Sequence, residues 1–214
     1  SVSQWNGGAA NNGFLLYSSS FQGGGTAVYG RFTSRNSSDA AHRPTLAITY
    51  QNAHINWSGA SSGAWDTTTD NWSVGGYLGR FGTGDSPTFA DGPSNRTITV
   101  TGGGVTVGAM TVNSSADYAF SGGAINGPGG LSKTGSGTLA LNAANGYSGI
   151  TTVGSGRLSV SANNALGTAA AGTTVSSGAQ LELSGGVAYS TAEALTLSGG
   201  GISNTGALYS SGGT

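Results

Sequence analysis

Four aspartates fall between positions 66 and 91 of this 214-residue chain, a cluster whose residue type could support chemistry. Asp66 and Asp70, in the run Trp65-Asp66-Thr67-Thr68-Thr69-Asp70-Asn71-Trp72, have Asp85 and Asp91 beyond them and offer hard carboxylate oxygens of the kind calcium takes. Their spacing follows no known calcium loop, and an Asp in a turn commonly bonds its own backbone. Asp66 and Asp70 therefore stand as the candidate calcium ligands, with turn capping as the plainer use; no other cofactor is expected. Trp57, Trp65 and Trp72, together with Trp5, are the four tryptophans. Coplanar and exposed, they would stack on sugar rings and make Trp57, Trp65 and Trp72 a glycan site; packed on one another, they would be core.

Acid–base chemistry on a polysaccharide would need carboxylates beside an Arg or Lys base. From Thr97 onward the charged residues are Asp117, Lys133, Arg157, Glu182 and Glu193, scattered over separate segments. They read as solvated surface charge, and no catalytic residue is assigned. His42 and His54 are the only histidines, and neither sits with a recognisable nucleophile motif. The reading is that of a protein that is not an enzyme.

The elements that must position these residues are short. Thr138-Leu139-Ala140-Leu141, Ile150-Thr151-Thr152-Val153 and Arg157-Leu158-Ser159-Val160 alternate apolar and polar residues and are separated by Gly, Asn and Ser, the pattern of brief strands ending in turns. Leu139 and Leu158 are 19 positions apart and Leu181 follows 23 later, the spacing of a solenoid whose every coil contributes one inward pair. Similar runs recur from Thr97 to Tyr209, with Asn142, Asn145, Asn163 and Asn164 expected at corners. Forty-one glycines then read as turn punctuation rather than low complexity, because 36% of the chain is hydrophobic and falls in period two. A net charge of −1 gives no attraction for a phosphate backbone, so nucleic acid is not an expected partner. No apolar run approaches the length of a membrane-spanning helix, and the absence of cysteine removes disulfides and thiol chemistry.

Gly135, Gly137, Thr138, Leu139 and Leu141, followed by Asn145, Tyr147, Ser148, Gly149, Thr151, Val153, Gly156, Leu158 and Val160, resemble the autotransporter-associated β-strand repeat. The resemblance implies a right-handed parallel β-helix in a secreted or surface-displayed bacterial protein, where it serves as a passenger or stalk. Residues 1–50 differ from the rest. Phe14–Tyr17, Ala27–Phe32 and Thr45–Tyr50 read as antiparallel strands. With Val2, Trp5, Asn12, Gly13, Arg35, Arg43 and Pro44 the segment resembles the C-terminal part of a DNRLRE-type β-sandwich domain. Three strands leave such a sandwich incomplete, so chain before Ser1 or a neighbouring subunit is expected to complete it by strand addition.

The fold expected is all-β: an incomplete antiparallel sandwich segment over residues 1–50, a tryptophan-rich connector and cap over 51–96, and a right-handed parallel β-helix over 97–214 that continues into further repeats. The function expected is structural, an extracellular or bacterial cell-surface stalk or fibre that forms homo-oligomers end to end or by strand addition. A carbohydrate-binding adhesin module and a polysaccharide-active enzyme are the alternatives.

Overall fold

The computed structural model describes residues 53–212. The expected sandwich strands of residues 1–50, with Trp5 and His42, lie outside the described residues.

Every described strand is two to five residues long, and most of those in the body of the stack alternate buried and more exposed positions, as a period-two sequence dictates when one face meets a core. The chain winds as a parallel β-solenoid. One sheet has nine strands. Seven of these, Leu195–Leu197, Thr173–Val175, Thr151–Val153, Leu131–Thr134, Met110–Asn113, Ser86–Phe89 and His54–Trp57, are parallel. Trp72–Val74 and Tyr77–Gly79 then add to it as an antiparallel hairpin, turning at Gly75 and Gly76, both at positive φ. The second sheet has seven parallel strands, from Leu208–Ser210 through Gln180–Leu183, Arg157–Val160, Thr138–Leu141, Tyr118–Gly122 and Thr97–Val100 to Ala64–Trp65. A third, of Val105–Thr106, Ile125–Gly127 and Gly146–Tyr147, closes the section of the middle coils.

The spacing of leucines in the sequence is the spacing of coils. Leu139 pairs with Leu158 and Leu158 with Leu181, all three buried. Similar ladders run down the nine-stranded sheet, where Val112, Lys133, Val153 and Val175 occupy one inward row. At a corner between them the coils come so close that a β-carbon on Gly129 would lie 1.8 Å from the carbonyl oxygen of Gly108, so only glycine fits there.

The coils begin earlier than the expected boundary at Thr97. His54–Trp57 and Ser86–Phe89 are already neighbours in the nine-stranded sheet, and Ala64 and Trp65 pair with Thr99 and Val100. The segment expected to be a connector and cap therefore supplies the first coil as well, with the hairpin added at its edge. Of the four asparagines expected at corners, only Asn164 has left-handed backbone, at φ 60°.

Candidate functional site

Trp57, Trp65 and Trp72 are 3%, 0% and 0% exposed. Trp65 packs against Trp72 at 5.3 Å between ring centroids, Phe81 at 5.5 Å, Phe89 at 5.3 Å and Phe120 at 5.9 Å, in edge-on or tilted geometry. Trp57 meets Trp72 at 5.1 Å and donates its indole N–H to the Asn95 carbonyl at 2.7 Å. No ring face is left for a sugar, so the expected stacking platform is corrected to an aromatic plug that fills the first coils. The indole N–H groups of Trp65 and Trp72 are buried without a hydrogen-bond partner among the described residues, a cost that ring volume must outweigh.

Asp66 and Asp70 do not converge. The Asp66 carboxylate accepts the backbone N–H groups of Thr68 and Thr69, at 2.7 and 2.6 Å, and both their hydroxyls. Burial raises its pKa, but these four donors outweigh burial and hold it below the ordinary carboxylate value. Asp70 instead faces the exposed Arg80, Oδ1 to Nε at 3.0 Å. Asp85 is also committed to backbone, accepting from Ala53 N–H at 2.8 Å and Gly82 N–H at 2.8 Å. Among the described residues no three carboxylate or imidazole groups gather in a way that could hold a metal ion. Asp66 is used as a turn cap.

The charged residues of the coils are not the solvated set the sequence suggested. Lys133 is 1% exposed, standing in the inward row between Val112 and Val153. Its ammonium donates to the carbonyls of Thr134, Gly135 and Ser155 at 3.0, 3.0 and 3.1 Å, tying its own coil to the next. Burial pushes its pKa down to about 8, against a smaller opposing pull from Asp117. The residue was legible in principle: the alternation that buries Leu131 also points Lys133 inward. Glu182 is buried too, 3.6 Å from Arg157, whose Nε donates to Gln180 Oε1 at 3.0 Å.

Asn145 makes a comparable joint on the third side. Its Oδ1 accepts from Ile125 N–H at 2.9 Å, and its amide donates to the carbonyls of Ala165 and Ala143 at 2.8 and 3.3 Å. Asp91 does the same work at the surface, receiving the Ser114 hydroxyl and donors of Ser115 and Ala116, which together hold it at about 2.

Among the described residues two surface clefts stand out. One, of about 280 Å³, is lined by Arg96, Thr97, Asp117, Tyr118, Ala119, Thr138 and Ala140 on the outward side of the seven-stranded sheet. Its acid and base are both tied to backbone: Asp117 accepts Thr138 N–H at 2.6 Å, and Arg96 donates to the Asp91 carbonyl at 2.9 Å. The other, of about 240 Å³, lies among Leu166, Leu181, Leu183, Leu195 and Leu208 of the last described coils, with Glu193 on its wall. Neither cleft pairs two carboxylates.

What unites these residues is the joint between one coil and the next, and two of the joints, those of Lys133 and Asn145, fall in one stretch of sequence. Residues 131–160 match the passenger-associated transport repeat. The repeat thus covers Lys133, Asn145, Tyr147 and the paired strands Thr138–Leu141 and Arg157–Val160, and it marks this stretch as a β-helix of the autotransporter-passenger type. A passenger repeat implies a secreted or surface location, and among the described residues no helix is long and apolar enough to cross a membrane. No curated protein and no solved structure gives a match.

Proposed function

We propose that the chain is a structural segment of a bacterial surface or secreted protein, a rigid spacer that holds other parts of its polypeptide away from the cell. The observation that carries this reading is where its ionisable and amide side chains are used. Lys133, Asn145, Asp91 and Gln180 each bond across coils, so groups that an enzyme or lectin would present to a ligand hold the ladder together. Backbone hydrogen bonding between successive coils does the rest, and it leaves few loops for a protease to enter. The last described coil exposes Leu195, Leu197 and Leu208, an apolar end on which the ladder can continue, through further coils or another copy.

The test is localisation on intact source cells with an antibody raised against residues 131–160. Labelling of unpermeabilised cells, removed by external protease only after prolonged digestion, is the expected result. Labelling that requires permeabilisation would end the reading.

A further inference from the structure

One inward row changes its chemistry for a single rung. Val112, Val153 and Val175 hold successive places in that row of the nine-stranded sheet, and between the first two stands Lys133, as buried as they are. A valine there would continue the row, so packing alone does not account for a lysine. The side chain carries its ammonium to the corner where Thr134 and Gly135 of its own coil meet Ser155 of the next. Three carbonyl oxygens converge on Nζ there, those of Thr134 and Gly135 at 3.0 Å and that of Ser155 at 3.1 Å. Among the described residues the Ser155 carbonyl has no other donor, and the Gly135 carbonyl has only the Ser155 hydroxyl, at 3.3 Å. Gly156 closes the site, because at its φ of 67° a β-carbon would lie 2.8 Å from Nζ. No carboxylate bonds the ammonium. Asp117, whose charge favours it, accepts the Thr138 N–H at 2.6 Å instead.

An ammonium group on a carbon stem has three N–H donors, and the site offers three acceptors at hydrogen-bond length. A water molecule would bring two donors and leave one carbonyl buried without a partner. A guanidinium is planar, and its fork suits a carboxylate rather than three separate turn carbonyls. Calcium takes about six to eight oxygens, carboxylates commonly among them, and would find three carbonyls here. Donor count and enclosure together select a primary ammonium on a hydrocarbon stem.

We propose that the corner formed by Thr134, Gly135, Ser155 and Gly156 is a receptor for a primary alkylammonium, with Lys133 as its tethered occupant. Lysine stands in a row of valines because two coils meet there through carbonyls that only a multiple donor can satisfy. The inference goes beyond the spacer reading and does not depend on where the protein is found.

The experiment frees the occupant from its tether. K133A keeps the β-carbon and removes the atoms of a propylammonium ion. Thermal unfolding of the intact chain is followed by circular dichroism at neutral pH, in propylammonium chloride or in tetramethylammonium chloride at equal ionic strength. K133A is expected to melt below the native protein. Propylammonium should restore at least half of that loss in a saturable manner, while tetramethylammonium, which has no N–H, restores none. The native chain, whose receptor is occupied, and K133M, whose side chain fills the same space without a donor, should be indifferent to the choice of ion. A K133A variant as stable as the native chain would overturn the proposal, as would equal K133A midpoints in the two salts. The same propylammonium shift in K133M or in the native chain would overturn it too. If K133A does not fold unaided, its refolding is scored instead. A β-sheet spectrum regained in propylammonium alone is then expected, and recovery in neither salt or in both overturns the proposal.

Discussion

The first coils and the repeat coils solve the same problem with different materials. Around Trp57, Trp65 and Trp72 the section is filled by ring volume: seven aromatic residues interlock, and two buried indole N–H groups go without partners. From Leu131 onward it is filled by register. Small aliphatic side chains repeat in stacked rows, and the polar residues inside or beside them, Lys133, Asn145 and Gln180, are bonded across coils. An irregular end can tolerate unpaired polar atoms if enough apolar area is buried around them, whereas in the repeat coils most buried polar groups find partners, Glu193 Oε2 being an exception.

The largest expected effect separates the two regions by volume. Trp65→Ala removes a fully buried ring that touches four other aromatics and should cost about 3–5 kcal/mol, at the upper end of what Leu158→Ala costs in the coils, about 2–5 kcal/mol. Chemical denaturation of both variants measures this. A loss at Trp65 smaller than at Leu158 would mean that the aromatic end is loosely packed and the contrast is wrong.

The second effect is electrostatic and confined to the coils. The folded chain gives up the Lys133 proton at about 8 against an ordinary 10.5, so between those values the unfolded state binds more protons and stability rises with pH. Relative to Lys133→Met, which lacks the titrating group, the native chain should gain up to about 3 kcal/mol over that window. Unfolding midpoints of both proteins from pH 7 to pH 10.5 read the difference. Parallel curves would show that the three carbonyls hold the charged ammonium without penalty.

The smallest effect lies at the surface joint near the aromatic end. Hydrogen bonds from Ser114, Ser115 and Ala116 hold Asp91 at about 2, below the unfolded 3.8, so its contribution is present above 3.8 and is lost as pH falls through 2. Asp91→Asn should therefore be less stable than the native chain near neutrality, with the gap closing between pH 4 and pH 2. Acid titrations followed by circular dichroism would show it, and a gap that persists at pH 2 would assign the loss to geometry rather than charge.

Much of the fold could be read from residue order because a solenoid writes its geometry locally. The 19- and 23-residue steps between Leu139, Leu158 and Leu181 are the pairings observed, since each strand bonds only the strand one coil away. The plug was harder, because a tryptophan carries no mark of whether its ring faces core or solvent, and here all three face core. Lys133 was misread for a different reason: charge suggested water, while its phase after Leu131 placed it inward, and phase prevailed because three carbonyls lay within reach. The start of the coils was misplaced because 32 residues separate Ile55 from its partner Pro87, a step too long to stand out beside steps near 20.

The three-stranded sheet ends at Gly146–Tyr147, and beyond it successive coils are joined through two sheets only. Strand hydrogen bonds run across the stack from coil to coil, so a pull along the stack loads every joint in turn with the same tension. The joint with the fewest bonds then yields first. In a stretched chain the coils carrying Thr173–Val175 and Gln180–Leu183 would part before those built on Val105, Ile125 and Tyr147, releasing length from one end like a fuse while the remainder stays wound.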